Sequence, residues 1–322
     1  MAERGRGVDR RWVVSGLLGA AVLPATACGI RLEDDAPRVP LVPTRTPVPV
    51  EEALVALTRD TVALASAAAA LDGDLAADLA ALHRRQHTVL RTTLLRRQVP
   101  ADDLDAPAPA GSSAAPSPSG SSASSSPSPS PTVDGRAALG ALEAAAAAAA
   151  GTFADVEDDL RATVAALHAQ RHAAATLLAG RAPDVPSDPV GGDTVARVVA
   201  LTEAAIWLLE VVSARSSGRQ RDRSDATLVV LRALRADQLS GGARSESALG
   251  HALPFPVDSA ADAARLAREV LTALRADLGP LLAPLVAEHG ATGLGAATRW
   301  LGTVEVEAHR WGVDLVPFPG LA

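Results

Sequence analysis

The sequence predicts an all-α protein built from two helical bundles, and three observations carry that prediction. Hydrophobic residues make up 48 % of the 322-residue chain, but alanine dominates them, with three Phe, four Trp and no Tyr. Such a composition, poor in aromatic and β-branched runs, favours helix over sheet. Apolar residues recur at a 3-4 spacing in one segment after another. The breaks between those segments are made of Gly, Pro and Asp, which stop and cap helices.

The N-terminal stretch reads as an address. Arg10 and Arg11 precede an apolar run from Trp12 to Leu23, which Pro24 closes. A spanning helix needs about 20 apolar residues, so a basic, then short apolar, then small-residue order reads as a secretory signal. Ala25-Thr26-Ala27-Cys28 resembles the lipobox of bacterial lipoproteins, with Ala25 where leucine is usual. Asp9-Arg10-Arg11-Trp12-Val13-Val14 is similar to a twin-arginine export motif, with Asp9 in place of Ser or Thr. The lipobox resemblance implies that residues 1–27 are removed and that Cys28 is acylated, anchoring the exported chain in the lipid bilayer at the outer face of the cytoplasmic membrane. An ordinary secretory signal, or an uncleaved anchor, is the alternative. Cys28 is the single cysteine, so no intramolecular disulfide forms.

Residues 28–50 read as a tether. Pro37, Pro40, Pro43, Pro47 and Pro49 block helix and favour polyproline II. Glu51 and Glu52 then open a helix, acidic side chains suiting its N-terminal dipole. Its seam is Leu54, Leu57, Thr61, Leu64, Ala68 and Leu71. Asp72-Gly73-Asp74 breaks that helix and starts another, Leu75 to about Arg97, which makes an antiparallel hairpin. Residues 100–133 are a Pro/Ser/Ala/Gly tract without apolar periodicity, expected to be a disordered insertion. The alanine run Ala137–Ala150 around Glu143 is interrupted at Gly151-Thr152, and a further helix runs to Ala179. Residues 51–179 thus form the first bundle, and the Pro- and Gly-bearing residues 180–192 a linker.

The second body, residues 193–322, opens at Asp193 or Thr194. Val195–Val212 is apolar nearly all round and is expected to be the most buried helix. Arg215–Arg223 reads as a polar turn before a helix over Asp225–Leu239. Ser259 with Asp262 reads as a capping box for a helix from Ala260 to about Leu278. Gly279-Pro280 is expected to kink or restart it, and a last helix spans roughly Thr292–Trp311.

Two patterns suggest chemistry. Ala80-Ala81-Leu82-His83-Arg84-Arg85-Gln86-His87 is echoed by Ala165-Ala166-Leu167-His168-Ala169-Gln170-Arg171-His172. Each His pair is spaced i, i+4 on one helical face, so His83, His87, His168 and His172 together compose a candidate zinc or copper site. Their alternative reading is packing residues at the border of a core, with arginine neighbours that repel a cation. Glu203, Glu210 and Glu305 are candidate buried carboxylates, with Glu307 and His309 nearby. No Glu-x-x-His motif completes a di-metal set. No phosphate loop, nucleophile elbow or H-E-x-x-H occurs. A formal charge of −7 argues against nucleic-acid binding.

Leu253-Pro254-Phe255-Pro256-Val257, together with Arg310-Trp311-Gly312 and Phe318-Pro319-Gly320-Leu321, resembles a ferritin-like domain family of unknown function found in exported proteins of high-GC Gram-positive bacteria. The resemblance spans about Asp193 to Leu321. It implies a ferritin-like four-helix bundle and brings no reaction, cofactor or ligand residues. The resulting expectation is a non-catalytic, lipid-anchored envelope module with no resident cofactor. Its partner is an unidentified envelope protein or small ligand, and a metal-binding or redox protein using the histidines is the alternative.

Overall fold

The computed structural model describes residues 45–106, 134–244 and 250–321. The export segment, Cys28 and most of the Pro/Ser tract lie outside them. Arg45 to Ala322 packs as one compact unit. Among the described residues every regular element is helical.

The helices are α1 Glu51–Ala69, α2 Asp74–Arg96, α3 Ala101–Asp105, α4 Gly135–Ala148, α5 Asp158–Ala179, α6 Asp193–Ala214, α7 Gly218–Leu239 and α8 Ala260–Arg310. A 3₁₀ turn, Ala149–Phe153, joins α4 to α5 where Gly151-Thr152 interrupts the alanine run. The α1 seam buries Leu54, Leu57, Thr61, Leu64 and Ala68 as its spacing requires. Leu64 and Ala68 meet Leu79 and Leu82 of α2, Leu139 of α4, and Ala174 and Leu178 of α5, so the α1–α2 and α4–α5 hairpins share a core.

Several sequence expectations are corrected. The tract after Pro100 is not wholly without structure: α3 forms because Leu104 finds a buried site, and Arg91 pairs with Asp105. The segment Arg219–Arg223, expected as a turn, is helical, since α7 begins at Gly218. The most buried helix is α5, every residue of which from Val164 to Thr176 is buried, rather than α6, whose Trp207, Leu208 and Val211 stay partly exposed and whose Glu210 is exposed. Alanine explains the exchange: a helix of small side chains lets neighbours approach on all sides, which large apolar residues do not. Gly279-Pro280 does not break α8. The kink falls at Gly290, with φ 55° and ψ −129°, a conformation that glycine reaches without a Cβ clash. Gly279 serves a close approach, because a Cβ there would collide with the Gly320 carbonyl of the C-terminal segment.

Residues 180–192, read as a linker, are packed. Val185 and Val190 are buried, Ser187 donates to the Thr292 carbonyl, and His289 Nε2 lies 2.9 Å from the Gly191 carbonyl. The strap therefore crosses α8 at its kink. A single apolar cluster runs from Leu54 of α1 through Leu167 of α5 to Leu231 of α7 and Leu301 of α8. The two helical sets expected as separate bundles share this core, because α5 lies against α8, with Ala169 and His172 beside Gly302. By length and composition α8 is apolar enough to cross a membrane, but half of its most apolar stretch is buried inside the protein.

Candidate functional site: an enclosed ion centre and an open groove

The two echoed segments do meet, though not as a four-histidine site. His83 on α2, Glu143 on α4 and Arg171 on α5 are all fully buried. His83 Nε2 lies 2.6 Å from Glu143 Oε1, and Arg171 Nη1 lies 2.6 Å from His83 Nδ1 and 3.4 Å from Glu143 Oε2. Nδ1 of His83 lies between the Arg171 donor and the Gln86 Oε1 acceptor at 3.2 Å, and Glu143 Oε1, close to Nε2, makes no aligned hydrogen bond among the described residues. Burial pulls the Arg171 guanidinium below its ordinary pKa, and Glu143 opposes that pull. Arg171 Nε and Nη2 have no partner among the described residues. Gln86 extends the centre by donating to Gln170 Oε1 at 3.0 Å and to the Pro317 carbonyl at 2.7 Å.

The other histidines are dispersed. His168 Nδ1 is 2.9 Å from the Ala146 carbonyl and its ring packs on Phe153. His172 backs onto Gly302, where a Cβ would come within 2.6 Å of Nδ1. Burial pushes both imidazoles down to about 4. His87, one turn along α2 from His83, is half-buried against Val62 of α1, its pKa lowered by burial and by Arg91. No group of three or more metal-ligating side chains is brought together among the described residues. The i, i+4 spacing aligned each pair on its own helix and said nothing of which neighbour that face meets.

The four glutamates singled out in the second half are each matched to an arginine. Glu203 pairs with Arg235 at 2.8 Å and Glu210 with Arg232 at 2.8 Å. Glu210 is therefore a surface group, contrary to its expected burial, and Glu203 is only half-buried. Glu305 is fully buried and binds Arg275 at 3.0 Å and the Val316 N–H at 3.0 Å. Its pKa is raised by desolvation, against the pull of Arg275. Glu307, also buried, accepts from Thr227 and pairs with Arg310. A ferritin-type metal pair needs facing carboxylates and histidines free to ligate, and these donors are already committed to guanidinium groups. The residues present do not fit that metal centre.

Sequence reasoning overlooked Glu143 and Arg171 as site residues. A lone charge within an alanine run, and an arginine inside the echo, were the available signals.

Accessible chemistry lies elsewhere, along α1. A groove of about 1020 Å³ is lined by Val48, Val50, Val55 and Ala56 together with Glu52, Arg59, Asp60 and Asp103. Val50 sits at φ 51°, a strained conformation for a β-branched residue. It is held between the Arg45–Glu51 ion pair and the Val48 N–H bond to Glu51. Smaller hollows continue the groove past Arg59, Val62 and His87 to Ala69.

No curated protein and no solved structure matches the chain. Residues 194–322 match a family model described as a domain of unknown function (DUF4439), which covers α6, α7, α8 and the C-terminal segment.

Proposed function

We propose that this protein is a non-catalytic binding module, exported and held at the outer face of the cytoplasmic membrane by acylated Cys28. Its binding surface is the groove along α1. One observation carries the reading: the acid–base residues that could do chemistry, His83, Glu143 and Arg171, have no solvent exposure, whereas the groove is open and lined by apolar and charged side chains together. A reacting group must come within hydrogen-bond reach of a general base, and nothing reaches His83 without opening the bundle. In the same reading, residues 193–322 are a ferritin-like four-helix bundle of α6, α7 and the two halves of α8 about Gly290, with arginine–carboxylate pairs where a metal centre would stand.

Site-specific photo-crosslinking in the producing cell tests this. A photoreactive residue at Ala56, in the groove, is expected to give a discrete adduct that the same residue at exposed Ala233 does not. Identical adducts at both positions, or none at Ala56, would sink the reading.

A further inference from the structure

α1 carries two seams. The inner one, from Leu54 to Ala68, is spent on the core. The outer one runs Val55, Arg59, Val62, Ser66 and Ala69, again alternating four and three residues, and every member lines the groove or its continuation. Such an alternation is the signature of a helix that expects a second helix alongside it. Val62 is 45 % exposed, so apolar surface is left uncovered on the seam itself. Ser66 donates its hydroxyl to the Val62 carbonyl, leaving little polarity on that face, and Ala69 and Ser66 are small enough to admit a close backbone. The 19-residue α1 gives the trough a length of about 28 Å.

The rim identifies the partner's charge. Glu52, Asp60 and Asp103 flank the first half of the trough. Arg45 is tied to Glu51 and Arg59 donates to the Asp103 carbonyl, while Arg84 lines the groove's far end, away from this acidic half. Asp60 makes no hydrogen bond among the described residues; burial raises its pKa against the pull of the Arg171 charge, and an incoming cation adds to that pull.

Resting on the binding-module reading above, we infer that the α1 groove docks an amphipathic helix whose apolar seam lies along Val55, Val62 and Ala69 and whose basic side chains meet Glu52, Asp60 and Asp103. This is helix-in-groove recognition, with hydrophobic contact supplying area and rim charge supplying orientation.

The chain from Gly29 contains the whole compact unit and lacks the only cysteine, so Ala56→Cys takes a single fluorophore. The probe is a synthetic leucine/lysine helix of about 18 residues with 3-4 apolar spacing, long enough to fill the trough; its leucine/glutamate counterpart is the control. Saturable binding of the basic helix is expected. It should weaken about tenfold in Glu52→Gln/Asp60→Asn/Asp103→Asn. It should hold in Asp184→Asn/Asp188→Asn/Asp222→Asn, which changes net charge equally at exposed sites away from the groove. Equal weakening in both triple variants, equal binding of the acidic helix, or no binding of either overturns the inference. So does a sedimentation result in which the parent is a dimer and Val62→Arg is a monomer, since the occupant is then a second copy. Adducts at Ala56 in cells without binding of the basic helix would remove this partner chemistry and leave the groove reading standing.

Discussion

His83 Nε2 and Glu143 Oε1 lie 2.6 Å apart, on two different helices, with neither side chain exposed to solvent. The pair is stable in that setting because Arg171 closes it from a third helix, so acid, imidazole and guanidinium enter the core together. A buried charge alone costs several kcal/mol, and each member here offsets the cost of another. The centre works as a structural clasp of the α1–α2 and α4–α5 hairpins.

Removing one member therefore harms more than removing all. Arg171→Met is expected to cost about 3–5 kcal/mol, because Glu143 loses its buried guanidinium counter-charge. The triple replacement His83→Leu/Glu143→Leu/Arg171→Met should recover most of that loss. Urea denaturation of the three proteins decides it, and a triple variant less stable than Arg171→Met contradicts the clasp.

Acid should loosen the fold before carboxylates titrate. His168 and His172 are pushed from 6.5 to about 4 by burial, so the unfolded chain takes up their protons first. Their contribution is full above pH 6.5 and is lost progressively as pH falls toward 4, on the order of a few kcal/mol for the two. Asp60 and Glu305, whose pKa values are raised, act with the opposite sign at lower pH. Urea midpoints measured between pH 7 and about 5 should fall in the parent, and fall less in His168→Gln/His172→Gln.

The C-terminal segment is fastened at defined points. Gln86 reaches the Pro317 carbonyl, Glu305 holds the Val316 N–H, and Arg275 donates to the Asp314 carbonyl. Gln86→Leu removes one fastening and leaves Gln170 short of a donor, a cost of about 1–3 kcal/mol. Hydrogen exchange of the amides from Val313 to Leu321 should quicken in that variant, and unchanged exchange there would show that the other two contacts suffice.

Gly279→Ala tests the close approach of chain to chain. The added methyl meets the Gly320 carbonyl, so the segment must shift despite the better helix propensity of alanine. A loss of about 1–3 kcal/mol is expected in thermal or urea unfolding. A gain in stability would mean that the segment yields freely.

The lipid anchor is tested by location. Cys28→Ser should move the chain from the membrane fraction to the soluble fraction and abolish labelling by a fatty-acid analogue. Retention of both in the variant would exclude acylation at Cys28.

Local rules made much of this architecture legible from residues alone. The α1 seam, the Gly73 break, the Ser259–Asp262 capping box and the all-helical class follow from periodicity and capping, which act within a few residues. The echo of residues 80–87 in 165–172 marked where the polar centre lies, because it placed His83, Gln86, Gln170 and Arg171 on helices that meet. What those residues do there was settled by tertiary packing. Spacing aligns side chains on one helix, but rotation about the helix axis relative to its neighbours decides which face looks inward. That rotation sent His172 toward Gly302, left His87 half-buried beside α1, and brought Arg171 rather than a metal against His83 and Glu143. It also exposed Glu210, made alanine-rich α5 the central helix, and moved the break in α8 from Pro280 to Gly290, since burial depends on what packs around a helix and not on its own hydrophobicity.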